Sequence, residues 1–215
     1  MSFKNEKVFL DQTEIALKNG VEEVEISEYL SEYGLNRDAI AIGTGLHTSA
    51  KKEYEVNSIE AQEANESYQI YETTFEEVET IYRKDRKLAK IALDHKPSYL
   101  ERLGVTGKIS LNHVLFVSSA EQFYNCVKKD TEVSDALAFT KINPAKADSA
   151  LLKIEAVKAA RRTYLREKGQ SEEATTAKDE AFVKLDNWMS SFYKTARIAL
   201  EEKPQLLEAL GIVVK

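Results

Sequence analysis

The chain is poor in the residues that interrupt or cross-link a backbone. Three prolines and eight glycines among 215 residues leave few turns, which favours long helices over many short strands. One cysteine, Cys126, excludes an internal disulfide. No stretch approaches the roughly 18 apolar residues of a membrane span. The opening Ser2-Phe3-Lys4-Asn5-Glu6-Lys7 is too polar for a signal-peptide core. A cytoplasmic protein without a membrane partner is expected. Positive charge is not in excess either: 30 Lys and Arg face 36 Asp and Glu, a net charge of −6, which argues against a general nucleic-acid surface.

Recognisable chemistry is also sparse. Of the three histidines, His47, His95 and His113, none has an acidic residue three positions before it, so the Glu-x-x-His signature of di-iron bundles is missing. There is no Cys-x-x-Cys or H-E-x-x-H pattern. No metal, no cofactor and no catalytic residue are therefore expected. The stretch Gly43-Thr44-Gly45-Leu46-His47-Thr48-Ser49 lacks the Gly-Lys-Ser/Thr of a phosphate loop. Its two glycines, costly inside a helix, imply close helix packing, with a kink opening a pocket as the alternative.

What the chain does have is an internal repeat. Phe75 to Val105 aligns with Phe182 to Ile212 at an offset of 107, with 12 of 31 positions identical. Chance would give roughly two. The offset continues upstream through Asn5 and Asn112, Phe9 and Phe116, Glu14 and Glu121, Leu30 and Leu137, and Asn36 and Asn143. The chain therefore reads as one helical domain, 1–215, made of two copies, 1–107 and 108–215. The first copy carries a charge of −8 and the second +2, a split that reads as drift of a solvated surface after duplication, with contact between acidic and basic halves, within or between chains, as the alternative.

Each copy predicts the same order of elements. A first helix runs from about Phe3 and stops at Asn19-Gly20. A short helix ends at Gly34, and Asn36 or Asn143 caps a long helix. In copy one the inward stripe of that helix is Ala39, Ile42, Leu46, Ala50 and Tyr54. A turn follows, at Gly169-Gln170-Ser171 in copy two and near Ala64-Asn65 in copy one, where an uninterrupted helix is the alternative. The last long helix carries Tyr71, Phe75, Val78, Ile81 and Tyr82 in copy one and Phe182, Leu185, Trp188 and Phe192 in copy two. It ends before Pro97 or Pro204, and a short helix closes at Gly104 or Gly211. Each long helix has one apolar face. The expected all-α fold is therefore two tandem hairpins closing on each other as a pseudo-two-fold four-helix bundle, with short helices outside.

Asp85 breaks the stripe between Ile81 and Leu88, where copy two has Phe192. A carboxylate there needs a Lys or Arg partner at the stripe's edge, or serves as the polar anchor of a pocket lined by Tyr82, Trp188 and Phe192. These four are the candidate ligand-binding residues. The basic runs Arg83–Lys90 and Lys158–Lys168 read as solvated faces, and Cys126 as an inert thiol. The ending A-R-I-A-L-E-E-K-P-Q-L-L-E-A-L-G-I resembles that of uncharacterised bacterial helical-repeat proteins, a resemblance that implies no activity. The expected role is non-enzymatic, a protein-interaction or scaffold module with a protein partner or a second copy of itself. The alternative is a small-molecule-binding bundle with its pocket near the pseudo-two-fold axis.

Overall fold

The structure, a computed structural model, describes residues 5–213. Among them every regular element is helical: α1 (Glu6–Glu22), α2 (Val24–Glu32), α3 (Arg37–Ala92), α4 (Pro97–Arg102), α5 (His113–Lys129), α6 (Thr131–Leu137) and α7 (Pro144–Ala199). Short 3-10 segments cover Ala138–Thr140 and Pro204–Leu210. The expected start near Phe3 lies outside the described residues. No described helix is long and apolar enough to cross a membrane.

The element starts repeat at the sequence offset. Glu6 and His113, Val24 and Thr131, Arg37 and Pro144, and Pro97 and Pro204 each stand 107 positions apart. Local chemistry explains the register. Asn36 Oδ1 accepts from the Ala39 amide at 2.9 Å, and Asn143 Oδ1 from the Lys146 amide at 2.9 Å. Such caps are worth ~1 kcal/mol each. Asn112 caps α5 in the same way, accepting from Val114 at 2.9 Å.

Three glycines stop helices in one geometry. At Gly104 (φ 69°) the amide donates to Glu101 O at 2.9 Å, and the next amide, Val105, donates to Leu100 O at 3.0 Å. Gly34 and Gly211, also at positive φ, repeat the pattern. It satisfies carbonyls that a helix end otherwise leaves unpaired. The position matching Gly34 in copy two is Lys141, a residue with a side chain held at φ 65°.

Three expected breaks are absent. α1 runs through Gly20 to Glu22: the glycine is buried among Ile40, Leu30 and Phe192 at ordinary contact distance, and a single glycine costs a helix only ~1 kcal/mol. α7 runs through Gly169, and α3 through Ala64-Asn65, so each copy has one 56-residue helix in place of a hairpin. A lone exposed glycine costs ~1 kcal/mol in a helix, too little to end one flanked by good helix formers such as Glu167, Lys168 and Glu172.

The chain forms two compact units. The first comprises the chain up to Gln62 and from Gly169 onward; the second is Glu63–Lys168. The division falls inside α3 and inside α7, so each unit takes part of both copies. The first unit packs Leu17, Ile26, Leu30 and Ile40 with Phe182, Leu185, Phe192 and Leu210. Its inward stripe on α3 is Ile40, Gly43, His47 and Ala50. The expected Ile42 is 62% exposed, since hydrophobicity alone pointed to the neighbouring face. His47 is accommodated there by Nε2 at 3.1 Å from Leu10 O.

The second unit packs Tyr82 edge-on against Phe116 and Phe123, with ring centroids 5.3 and 5.6 Å apart. Its α5 stripe runs through Phe116, Phe123 and Val127, while Leu115 faces outward.

The Gly43-Gly45 pair separates into two roles. A Cβ on Gly43 would lie 2.4 Å from the Trp188 ring, whereas one on Gly45 would meet nothing within 4 Å. Gly43→Ala is therefore expected to destabilise by about 1–3 kcal/mol through overpacking. Gly45→Ala is expected to stabilise by about 0.5–1 kcal/mol. Urea denaturation of both variants checks this; equal effects would refute the packing argument.

Candidate functional site

Asp85 is 0% exposed and fully partnered. It comes from the inner face of α3. Tyr124, from α5, donates its hydroxyl to Oδ2 at 3.0 Å, and Lys146, from the first turn of α7, donates to Oδ1 at 2.5 Å. The Asn143 cap and Pro144 fix the start of α7, and so the point from which Lys146 reaches back. Burial, reinforced by the Asp85 carboxylate, pushes the Tyr124 hydroxyl far above its ordinary range. The Lys146 side chain is 34% exposed, so one member of the trio reaches solvent.

It reaches solvent at a cleft. A cavity of about 310 Å³ lies over the trio, lined by Asp85 and Lys146, by Lys84 and Lys153, by the hydroxyl residues Thr80 and Ser149, and by Ile81 and Ala150. Lys153 pairs with Glu77 at the margin, while Lys84 makes no ion pair among the described residues. The cleft thus offers ammonium and hydroxyl donors beside a small apolar wall.

The corresponding positions of the first unit, 107 residues away, are filled differently. Where the second unit has Ile81, Asp85 and Ala150, the first has Trp188, Phe192 and Gly43. Trp188 stacks on Phe192 with centroids 5.5 Å apart and planes 18° apart, and its ring lies over Gly43. Lys84, Lys146, Ser149 and Lys153 correspond to Ser191, Ala39, Ile42 and Leu46. An aromatic plug in one unit answers to a polar cleft in the other.

The four sequence-predicted residues divide between the two cores. Tyr82 and Asp85 belong to the second unit, Trp188 and Phe192 to the first. Asp85 takes a lysine partner as expected, but at the floor of a cleft and not at the stripe's edge. Tyr124 and Lys146 escaped the sequence reading. Their signal was there: Tyr124, Lys146 and Asp85 match Leu17, Ala39 and Phe192, so three positions change together from apolar to polar.

Several members of the basic runs are engaged. Arg83 pairs with Glu79 at 2.6 Å, and Arg86 donates to Val105 O at 2.9 Å, tying down the chain after α4. Lys158 pairs with Glu121 at 2.7 Å, and the matching Lys51 and Glu14 stand 3.8 Å apart in the first unit. Burial pushes the Cys126 thiol above its ordinary range, which suits an unreactive side chain. No protein-family model, curated protein or solved structure matches the chain.

Proposed function

We propose that this chain is a non-enzymatic small-molecule-binding protein whose ligand enters the cleft over Asp85 in the second unit. The observation that carries the reading is the contrast between duplicated positions: Trp188 fills the place in one unit that Ile81 leaves open in the other. A duplicated core that keeps its packing in one copy and opens a polar cavity in the other has gained a surface for recognition. Donors from Lys84, Lys146, Thr80 and Ser149 suit a polar ligand rich in acceptors. The shared 107-residue offset of the helices, and the matched Lys158–Glu121 and Lys51–Glu14 pairs, support an approximate two-fold equivalence between the copies.

Native mass spectrometry of the freshly purified protein tests the reading. A bound mass is expected on the wild-type chain and is expected to be lost from Ile81→Trp, which restores the aromatic plug. A bare polypeptide mass for the wild type, or the same bound mass on a folded Ile81→Trp variant, would overturn it.

A second reading, a protein-interaction or scaffold module, draws on large apolar side chains left in solvent: Leu111 at 89%, Phe139 at 76% and Leu152 at 74% exposed. Pull-down from native cells with Phe139→Ser and Leu152→Ser variants would test it. Loss of a specific co-purifying protein supports docking, and a monomer that retains nothing removes this reading.

A further inference from the structure

The second unit contains another cleft, separate from the one over Asp85. It has a volume of about 260 Å³ and sits where the start of α5 meets the early part of α7. Its floor is apolar, formed by Val114, Val117 and Val157. Its rim is cationic, with Arg161, Arg162 and Lys158. Lys158 is neutralised by Glu121 at 2.7 Å, and Glu155 lies 2.9 Å from it. Arg161 and Arg162 form no ion pair among the described residues, so their charge is uncompensated.

Tyr71 and His113 add polar groups to the lining. Arg161 approaches the Tyr71 hydroxyl, which lies 2.8 Å from His113 Nδ1. Glu72 Oε1 stands 4.0 Å from the same nitrogen. The imidazole is held flat on Phe75, with centroids 3.9 Å apart and planes 10° apart, so its ring is fixed in place.

Comparison of the copies shows that this charge is particular to the second unit. Arg161, Arg162, His113 and Ser118 correspond to Tyr54, Glu55, Glu6 and Asp11. Across all ten lining positions the formal charge is +2 in the second unit and −1 at the matching positions of the first, counting His as neutral. The Lys-Glu pair at the edge is kept in both.

We propose that this cleft binds a small organic anion in which a carboxylate is joined to an apolar body, with the carboxylate on Arg161 and Arg162 and the body on the valine floor. Arginine matches a carboxylate with two parallel N–H donors, and an apolar floor rewards a ligand that covers it. Inorganic phosphate would satisfy the rim alone, and a neutral aromatic the floor alone.

Amide chemical-shift titrations of the full chain with sodium benzoate, inorganic phosphate and benzyl alcohol distinguish these. Benzoate is expected to move the Val114, Val117 and Val157 amides and to bind at least tenfold more tightly than either other probe. Arg161→Gln/Arg162→Gln, at exposed positions, is expected to weaken benzoate at least tenfold with an unchanged melting temperature. Val114→Glu, which sets a like charge on the half-exposed part of the floor, is expected to abolish binding. The proposal is overturned if benzoate leaves these amides unmoved, if phosphate binds as tightly as benzoate, or if the folded arginine variant binds benzoate as the wild type does. A ligand lost on Ile81→Trp concerns the other cleft and leaves this test unaffected.

Discussion

Replacing Asp85 with alanine is expected to cost about 3 kcal/mol of stability. Removing one partner of a buried ion pair leaves the other unpaired, with a typical penalty of 3–5 kcal/mol. The lower end applies because the Lys146 side chain is 34% exposed and can recover some hydration. The Tyr124 hydroxyl has no such route, since Tyr124 is 1% exposed. The duplicated copy supplies the control. At the three corresponding positions it carries Phe192, Leu17 and Ala39. The triple variant Asp85→Phe, Tyr124→Leu, Lys146→Ala therefore replaces the whole polar trio by apolar residues that already work together in the first unit. Such replacements are commonly neutral or stabilising. It is expected to lie within ~1 kcal/mol of the wild type. Urea denaturation of both variants measures this. A single variant costing under ~1 kcal/mol, or a triple variant worse than the single, would show that the trio is not an energetic unit.

The protein is also expected to lose stability steeply in alkali. Burial raises the hydroxyls of Tyr82, Tyr124, Tyr71 and Tyr193, partly offset by Arg86 at Tyr82, by Arg161 at Tyr71 and by Arg197 at Tyr193. A raised folded-state pKa means that the unfolded chain releases its protons first. The unfolded state then binds fewer protons than the native one, and stability falls as pH rises. The stabilisation is fully present below the ordinary tyrosine range near 10 and is lost progressively above it. Tyr82 and Tyr124, each 1% exposed, should together cost about 2–3 kcal/mol between pH 9 and pH 11. Urea midpoints taken at half-unit intervals over that range would show it, and Tyr82→Phe should flatten the slope. A constant midpoint up to pH 11 would contradict the argument.

Much of the architecture was legible because it is written locally. Asn36 and Asn143 cap within three residues of themselves, and Gly34, Gly104 and Gly211 end helices through bonds spanning five. Gly169 misled for the converse reason. Its cost is small and local, and the helix on either side outvotes it. Gly20 misled in the same way, since one glycine inside α1 costs too little to end the helix. The site was half legible. Asp85 stood out as a carboxylate on a greasy stripe, but its partner Lys146 lies 61 positions away on another helix. Tyr82 packs in the core built around α5, and Asp85 bonds to Tyr124 of that helix. Reading the copies against each other, position by position, would have exposed Tyr124 and Lys146, because the three polar exchanges occur as a set.

The division of the chain also sets an order of events during synthesis. Glu63–Lys168 is one uninterrupted stretch, so everything the second unit needs has been translated once Lys168 leaves the ribosome. The first unit is split, and its amino-terminal stretch must stay unfinished until the residues from Gly169 onward arrive. Leu17, Ile26, Leu30 and Ile40 wait through that interval without Phe182, Leu185 and Phe192 to cover them. Nascent chains emerge at roughly 5–20 residues per second, so the delay lasts several seconds at least. The cleft-bearing unit is thus the first part of the molecule able to reach its native form, and the aromatic-plugged unit is the one exposed to chaperones and proteases while it waits.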